Sequence, residues 1–139
     1  MKNKKQKGIL TVFLLCVCFL ISGCITRIEK EQKQKDLEYI LIDQEHLPEE
    51  MTEVLGQLKK KAFHFVYSDQ GKMYLAEGYG ACPTTGYSIQ VNELYETEHT
   101  IYIHTSLMGP EVSEETKEIT TFPYIVVEIS GTEKEVMFD

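Results

Sequence analysis

The loop between two predicted strands holds the residues whose types and spacing best suit the binding of a partner. Three glycines and one proline fall within nine residues: Gly78, Gly80, Pro83 and Gly86. Glycine permits positive φ and close backbone approach, whereas proline fixes φ and lacks an N–H donor. These residue types are also typical of a simple turn between strands. We predict a partner-binding loop in which the threonine hydroxyls are exposed: Pro83, Thr84, Thr85, Gly86 and Tyr87.

The other reactive side chains give no support for an enzyme. Cys82 adjoins the loop, but no histidine or aspartate near it forms a recognisable activating motif, so we expect a buried, unreactive thiol. The four histidines are scattered, and the closest pair, His99 and His104, would point to opposite faces of one strand. No zinc spacing, phosphate-binding loop or nucleophile motif occurs. We therefore predict a non-catalytic protein with no metal, no cofactor and no small-molecule substrate.

The amino terminus has the pattern of an export signal. Four lysines within residues 1–7 precede an apolar run of thirteen residues, 9–21. A membrane-spanning helix needs about 20 apolar residues, so this shorter run predicts a signal peptide over residues 1–23. The run ends in Ile21-Ser22-Gly23-Cys24, the lipobox pattern of bacterial lipoproteins. We expect cleavage before Cys24 and a diacylglyceryl group on its thiol, with an ordinary secretory signal and a chance cysteine as the alternative.

Lipidation at Cys24 would anchor the mature protein on the extracytoplasmic side of a membrane. Cleavage removes four of the 14 basic residues, so ten remain against 22 acidic residues and the net charge becomes −12. Such a charge disfavours nucleic acid as a partner. Cleavage also leaves Cys82 as the single free thiol, so no intramolecular disulfide is expected. Residues 24–36 are almost wholly polar and predict a tether, and residues 37–139 predict one domain.

The apolar pattern of residues 37–139 predicts an α+β, mostly β domain. A helix after Pro48 is indicated by an apolar stripe at helical spacing: Met51, Val54, Leu55 and Leu58. Alternation predicts strands over residues 37–43, 63–67, 73–79, 87–95, 100–107, 119–129 and 135–138. The longest contains Pro123, which indicates a bulge or a sheet edge because proline cannot donate to a ladder. We expect about seven strands in antiparallel hairpins with one N-terminal amphipathic helix.

Two spaced motifs occur in this domain. The first is Pro83-Thr84-Thr85-Gly86-Tyr87-Ser88-Ile89, and the second is Thr121-Phe122-Pro123-Tyr124-Ile125-Val126-Val127. Together they resemble the C-terminal domain of the protease complex subunit PrcB family, which typically has Pro-Thr-Gly-Gly-Tyr-Ser and Tyr-Pro-Tyr. Thr85 replaces a glycine and Phe122 replaces a tyrosine of that pattern. The resemblance covers residues 37–139 and implies a lipoprotein that assists an exported protease as an accessory or stabilising subunit.

The loop also resembles that of chagasin-like cysteine-protease inhibitors, which are β-sandwiches. Cys82-Pro83-Thr84-Thr85-Gly86-Tyr87 is similar to their Asn-Pro-Thr-Thr-Gly-Tyr sequence, with Cys82 in place of the asparagine. This second resemblance implies a protease inhibitor that uses the 83–87 loop. A structural envelope lipoprotein, whose loop serves only the fold, is the third hypothesis.

Overall fold

The computed structural model describes residues 31–139. The predicted signal peptide over residues 1–23, the lipidation site Cys24 and the first part of the tether lie outside the described residues. Within residues 31–139, no helix is long and apolar enough to cross a membrane. Residues 31–36, predicted as the end of the tether, lie against the domain. Gln34 N–H, for example, donates to Glu96 O at 2.9 Å.

The described chain folds into eight strands, one α-helix and one short 3-10 helix. In chain order these are β1 Lys35–Asp36, β2 Ile40–Leu41, the 3-10 helix Gln44–His46, α1 Glu49–Leu58, β3 Ala62–Asp69, β4 Lys72–Tyr79, β5 Ser88–Glu96, β6 Thr100–Met108, β7 Tyr124–Ser130 and β8 Glu135–Phe138. The predicted class, mostly β with one amphipathic helix, is confirmed. The strand predicted over residues 37–43 is shorter than expected and comprises only β2.

The strands form two four-stranded sheets. The first has the order β1-β5-β6-β8, and the second has the order β2-β7-β4-β3. Neighbouring strands are antiparallel except β6 and β8, which are parallel. The last two strands therefore differ from the expected hairpin, because β7 lies in the second sheet and residues 131–134 return the chain to the first. Glu135 N–H donates to His99 O at 3.2 Å, so β8 begins beside the start of β6.

β4 contributes to two apolar clusters. The cluster between the sheets is formed by Met73, Leu75, Leu94, Ile101, Ile103, Val127 and Ile129. The cluster between the second sheet and α1 is formed by Met51, Leu55, Tyr74, Ala76 and Val126. Successive side chains of a strand point to opposite faces, so β4 is buried on both faces. The burial of Met51 and Leu55 confirms that the predicted stripe of α1 faces the domain.

Proline shortens the strand that the sequence predicts over residues 119–129. β7 begins at Tyr124, directly after Pro123. It lies between β2 and β4, where a strand needs N–H donors that proline lacks. Pro123 therefore precedes the strand and marks neither a bulge nor a sheet edge. Before the proline, Thr121 forms an isolated bridge with Cys82.

The two sheets share a turn end and a loop end. The turn end holds the β3–β4 turn at Gln70 and Gly71 and the β5–β6 turn at residues 97–99. Gly131 N–H donates to Gly71 O at 2.8 Å there. The loop end holds residues 80–87, between β4 and β5, and residues 109–123, between β6 and β7. We call residues 109–121 the arm.

Glu31 fixes the start of the described chain to the turn end. Its carboxylate accepts hydrogen bonds from the Thr97 hydroxyl and the His99 N–H. The hydrogen bond from Thr97 lowers the pKa of the Glu31 carboxyl from its ordinary value; desolvation opposes the shift, and the His99 N–H adds to it. Nearby, Lys33 Nζ lies 2.5 Å from Asp36 Oδ1. The residues that precede the domain therefore join it at the turn end.

Candidate functional site

The 83–87 loop and the arm are joined by hydrogen bonds at the loop end. Cys82 N–H donates to Thr121 O at 2.8 Å, and Thr121 N–H donates to Cys82 O at 2.9 Å. The Thr121 hydroxyl also donates to Thr84 O at 2.8 Å. The structure thus brings the two sequence motifs together, although each belongs to a different connection between strands.

Thr85 binds the arm through its backbone and its side chain. Its N–H donates to Lys117 O at 3.1 Å, and Lys117 N–H donates to the Thr85 hydroxyl oxygen at 2.9 Å. The Thr84 hydroxyl donates to Thr85 O at 3.1 Å. Both threonines are half-buried. The two hydroxyls are thus less exposed than expected, because the arm binds that of Thr85 and the loop itself binds that of Thr84.

Gly86 allows the loop to approach the arm closely. Its φ is +90°, in the left-handed region that other residues rarely adopt. An added Cβ would lie 2.7 Å from Pro110 Cβ and 3.1 Å from Glu114 Oε1. Pro83 is exposed and Tyr87 is half-buried, so the predicted loop presents mainly its proline to solvent.

A buried glutamate between the sheets escapes the sequence analysis. Glu77 Oε2 accepts a hydrogen bond from the Thr105 hydroxyl at 2.9 Å. The Tyr79 hydroxyl oxygen lies 2.8 Å from that of Thr105, and His64 Nε2 lies 3.1 Å from Glu77 Oε1. The sequence pattern of β4 could have indicated its burial. Glu77 lies two residues after Leu75, so its side chain points to the same face, which packs between the sheets.

The contacts of Glu77 favour a structural role. A carboxylate beside a histidine is a pair that acid–base catalysts use. Here, however, Thr105 and His64 engage both carboxylate oxygens and connect β4 to strands in each sheet. In the described part of the chain, no buried side-chain nitrogen or oxygen lacks a hydrogen-bond partner. This network therefore ties the two sheets together.

Two further side chains with reactive or metal-binding chemistry, His104 and Cys82, contact other parts of the fold or are buried in it. No group of three or more His, Cys, Asp or Glu side chains between Glu31 and Asp139 is placed to hold a metal ion. His104 Nδ1 lies 2.8 Å from Asp139 O. The Cys82 thiol is free and only 5% exposed, which confirms its predicted burial.

An open groove of about 720 Å³ lies toward the turn end, beside residues 37–40. Its walls include the exposed side chains of Tyr39 and Ile40. Lys72 and Glu128 also line it, with Lys72 Nζ 2.9 Å from Glu128 Oε1. The groove thus combines apolar contact from Tyr39 and Ile40 with charged groups, Glu38 among them, next to the segment through which the chain enters the domain.

The strands and connections that build the loop end carry a family signature. Residues 73–130 match the PrcB C-terminal family. The match confirms the predicted resemblance from β4 through β7, including the 83–87 loop and the arm. It is shorter than the resemblance drawn over residues 37–139 and leaves out α1, β3 and β8. No curated protein and no solved structure matches the chain significantly. The PrcB match supports a subunit associated with a protease complex.

Proposed function

We propose that this protein is a membrane-anchored, extracytoplasmic lipoprotein that serves as a non-catalytic, stabilising subunit of an exported protease. A diacylglyceryl group on Cys24 holds it at the membrane. The domain binds the protease through the loop end, to which residues 83–87 belong.

The observation that carries this proposal is the contact between the two motifs of the PrcB match. Residues 83–89 and 121–127 lie apart in sequence, yet Thr121 binds both Cys82 and Thr84. Two family motifs that contact each other in the folded protein support a single binding site to which both contribute. The main-chain and hydroxyl groups of the motifs bind each other, which supports a binding surface of fixed shape more than a reactive centre.

Membrane anchoring is supported by the sequence of the amino terminus. Ser22 and Gly23 give a peptidase access to the bond before Cys24, and the preceding apolar run is too short for a span. Two acyl chains on one cysteine suffice for stable attachment, whereas one chain gives only reversible binding. The anchor also explains why an acidic domain would remain at a membrane surface.

One fractionation experiment tests both halves of the proposal. The tagged full-length chain is produced in its own cells, and the membrane fraction is assayed for the chain and for a protease that co-purifies with it, identified by mass spectrometry and by its activity. We expect the wild type to hold both at the membrane. Cys24→Ala should release both, because the lipid is lost. Cys18→Ala is the matched control, since it changes a cysteine of the predicted signal peptide that is not lipidated.

Each part of the proposal has its own contrary result. Retention at the membrane of a Cys24→Ala protein from which the signal peptide has been removed would show that the anchor is not on Cys24. Purification of the wild type without any protease would reject the subunit assignment and leave the structural envelope lipoprotein. If the co-purified protease gains activity when the chain is removed, the chain is an inhibitor, as the chagasin-like resemblance implies.

A further inference from the structure

Three apolar side chains lie in solvent around the arm at the loop end. Met108, the last residue of β6, is 45% exposed, Ile119 is 56% exposed, and Val112 is fully exposed at 109%. Water around such side chains is released when a partner covers them. This release stabilises the complex by about 25 cal/mol per Å² of apolar area. Exposed apolar residues that cluster in one region mark interaction surfaces, whereas single ones need no explanation.

Hydrogen bonds order the backbone of the arm around these side chains. Val112 lies in a turn in which Glu114 N–H donates to Glu111 O at 2.9 Å. The second half of the arm is fixed to the loop through Lys117, which bonds Thr85 at 2.9 and 3.1 Å. A surface that is already ordered loses little conformational entropy when it binds.

The charges of the arm indicate the chemistry of the partner. Residues 111–118 contain four glutamates and one lysine, a net charge of −3, and all of these side chains are exposed: Glu111, Glu114, Glu115, Lys117 and Glu118. Carboxylates around an apolar centre attract basic groups and repel acidic ones, which favours encounter with the correct partner. The arm is therefore complementary to an apolar pocket bordered by lysine or arginine side chains.

The described chain enters the domain at the end opposite to this surface. Glu31 binds Thr97 and His99 at the turn end, whereas Met108 pairs with Ser88 at the opposite end of the β5–β6 hairpin. The nine residues of β5 separate the two ends by about 30 Å, at ~3.3 Å per residue. The described chain therefore begins at the turn end, and the arm lies at the opposite end of the sheets.

We propose that Met108, Val112 and Ile119 form the contact surface for the exported protease, which receives them in an apolar pocket bordered by basic side chains. This inference rests on the proposed subunit function. It assigns the binding contacts to the arm, and it gives Thr84 and Thr85 the role of holding the arm in place.

Site-specific photo-crosslinking in the full-length chain tests the surface. p-Benzoylphenylalanine replaces Val112 in one variant and Val66, an exposed valine of β3, in the control. After irradiation in the cells that make the protein, we expect the residue at position 112 to crosslink to a protease identified by mass spectrometry and activity. The same residue at position 66 should give no such product.

A charge substitution provides the quantitative measurement. Val112→Asp should lower the amount of protease that co-purifies by about tenfold, since it places a further carboxylate in the apolar contact. Val66→Asp should leave co-purification unchanged. Val112 packs against nothing, so the unfolding temperature of Val112→Asp should equal that of the wild type. That equality would exclude misfolding as the cause.

The outcomes separate this inference from the function on which it rests. If a protease co-purifies with the wild type, yet position 112 gives no crosslink and Val112→Asp binds it normally, the contact surface is wrong and the subunit function stands. If no protease accompanies the wild type, the subunit function fails and this assignment of the arm fails with it.

Discussion

The turn end and the loop end are closed by different kinds of contact. At the turn end, charged side chains bind other groups of the domain: Lys134 Nζ lies 2.8 Å from Glu96 Oε2 and 2.7 Å from Thr97 O. At the loop end, backbone and threonine groups hold the arm, while Val112 and Ile119 remain in solvent. The turn end thus binds charged groups within the molecule, although Tyr39 and Ile40 are exposed in the groove beside it. The loop end exposes apolar side chains on an arm that hydrogen bonds hold.

This difference assigns a task to each end. An end whose charged groups bind one another can hold the residues that precede the domain in place, as Glu31 shows. An end with ordered, exposed apolar groups is stabilised when a partner covers those groups.

The largest loss of stability should come from the substitution of one glycine at each end. Gly86→Ala should destabilise the protein by about 1–3 kcal/mol, because φ is +90° and the new Cβ would press on Pro110 in the arm. Gly131→Ala should also destabilise it, since its Cβ would lie 2.8 Å from Gly71 C and O. Urea unfolding measures the two losses.

Co-purification of the protease distinguishes the two glycine variants. Gly86→Ala should weaken the association because the arm must move, whereas folded Gly131→Ala should bind normally. Equal weakening by both variants would contradict the separation of tasks between the ends.

A smaller effect is expected from removing the hydroxyl that holds the arm. Thr85→Val keeps the branched shape but deprives Lys117 N–H of its acceptor, and we expect a loss of about 0.5–1.5 kcal/mol in the free energy of unfolding. Thr85→Ser, which retains the hydroxyl, is the control and should lose less. A valine variant as stable as the wild type would mean that this bond does not hold the arm.

The smallest effect concerns pH and the turn end. The Glu31 pKa is lowered from its ordinary value of 4.5, chiefly by the Thr97 hydrogen bond, so the carboxylate contact is intact above pH 4.5. As the pH falls through the lowered pKa, the Glu31 carboxylate is protonated in the folded state and the contact is lost. We expect the NMR shift of the Glu31 side-chain carboxyl carbon to titrate with a midpoint below 4.5. Glu31→Gln should abolish this titration, and a midpoint above 4.5 in the wild type would refute the contact.

Features that depend on neighbouring residues could be predicted from the sequence. The apolar stripe of α1 follows from helical spacing, and the β3–β4 turn follows from glycine at position 71, where φ is +76°. The conformation of Gly86 belongs to the same group, since a crowded segment of glycine and proline restricts the backbone locally. In each case the determining residues lie within a few positions of one another.

Features that depend on distant contacts could not be predicted in this way. Thr85 and Lys117 are 32 residues apart, so the loop alone gave no sign that the arm would bind its hydroxyl. Glu77 obtains its partners Thr105 and His64 from two other strands. The parallel pairing of β8 likewise depends on the crossing from one sheet to the other, which strand patterns do not specify.

The burial of β4 on both faces has a consequence for how the domain opens. Side chains of one strand serve the cluster between the sheets and the cluster beneath α1, so neither cluster can come apart while this strand stays in place for the other. The two clusters should therefore unfold as one cooperative unit. Amide protons of β4 then exchange with solvent only when the whole domain unfolds, whereas those of the arm exchange through local opening.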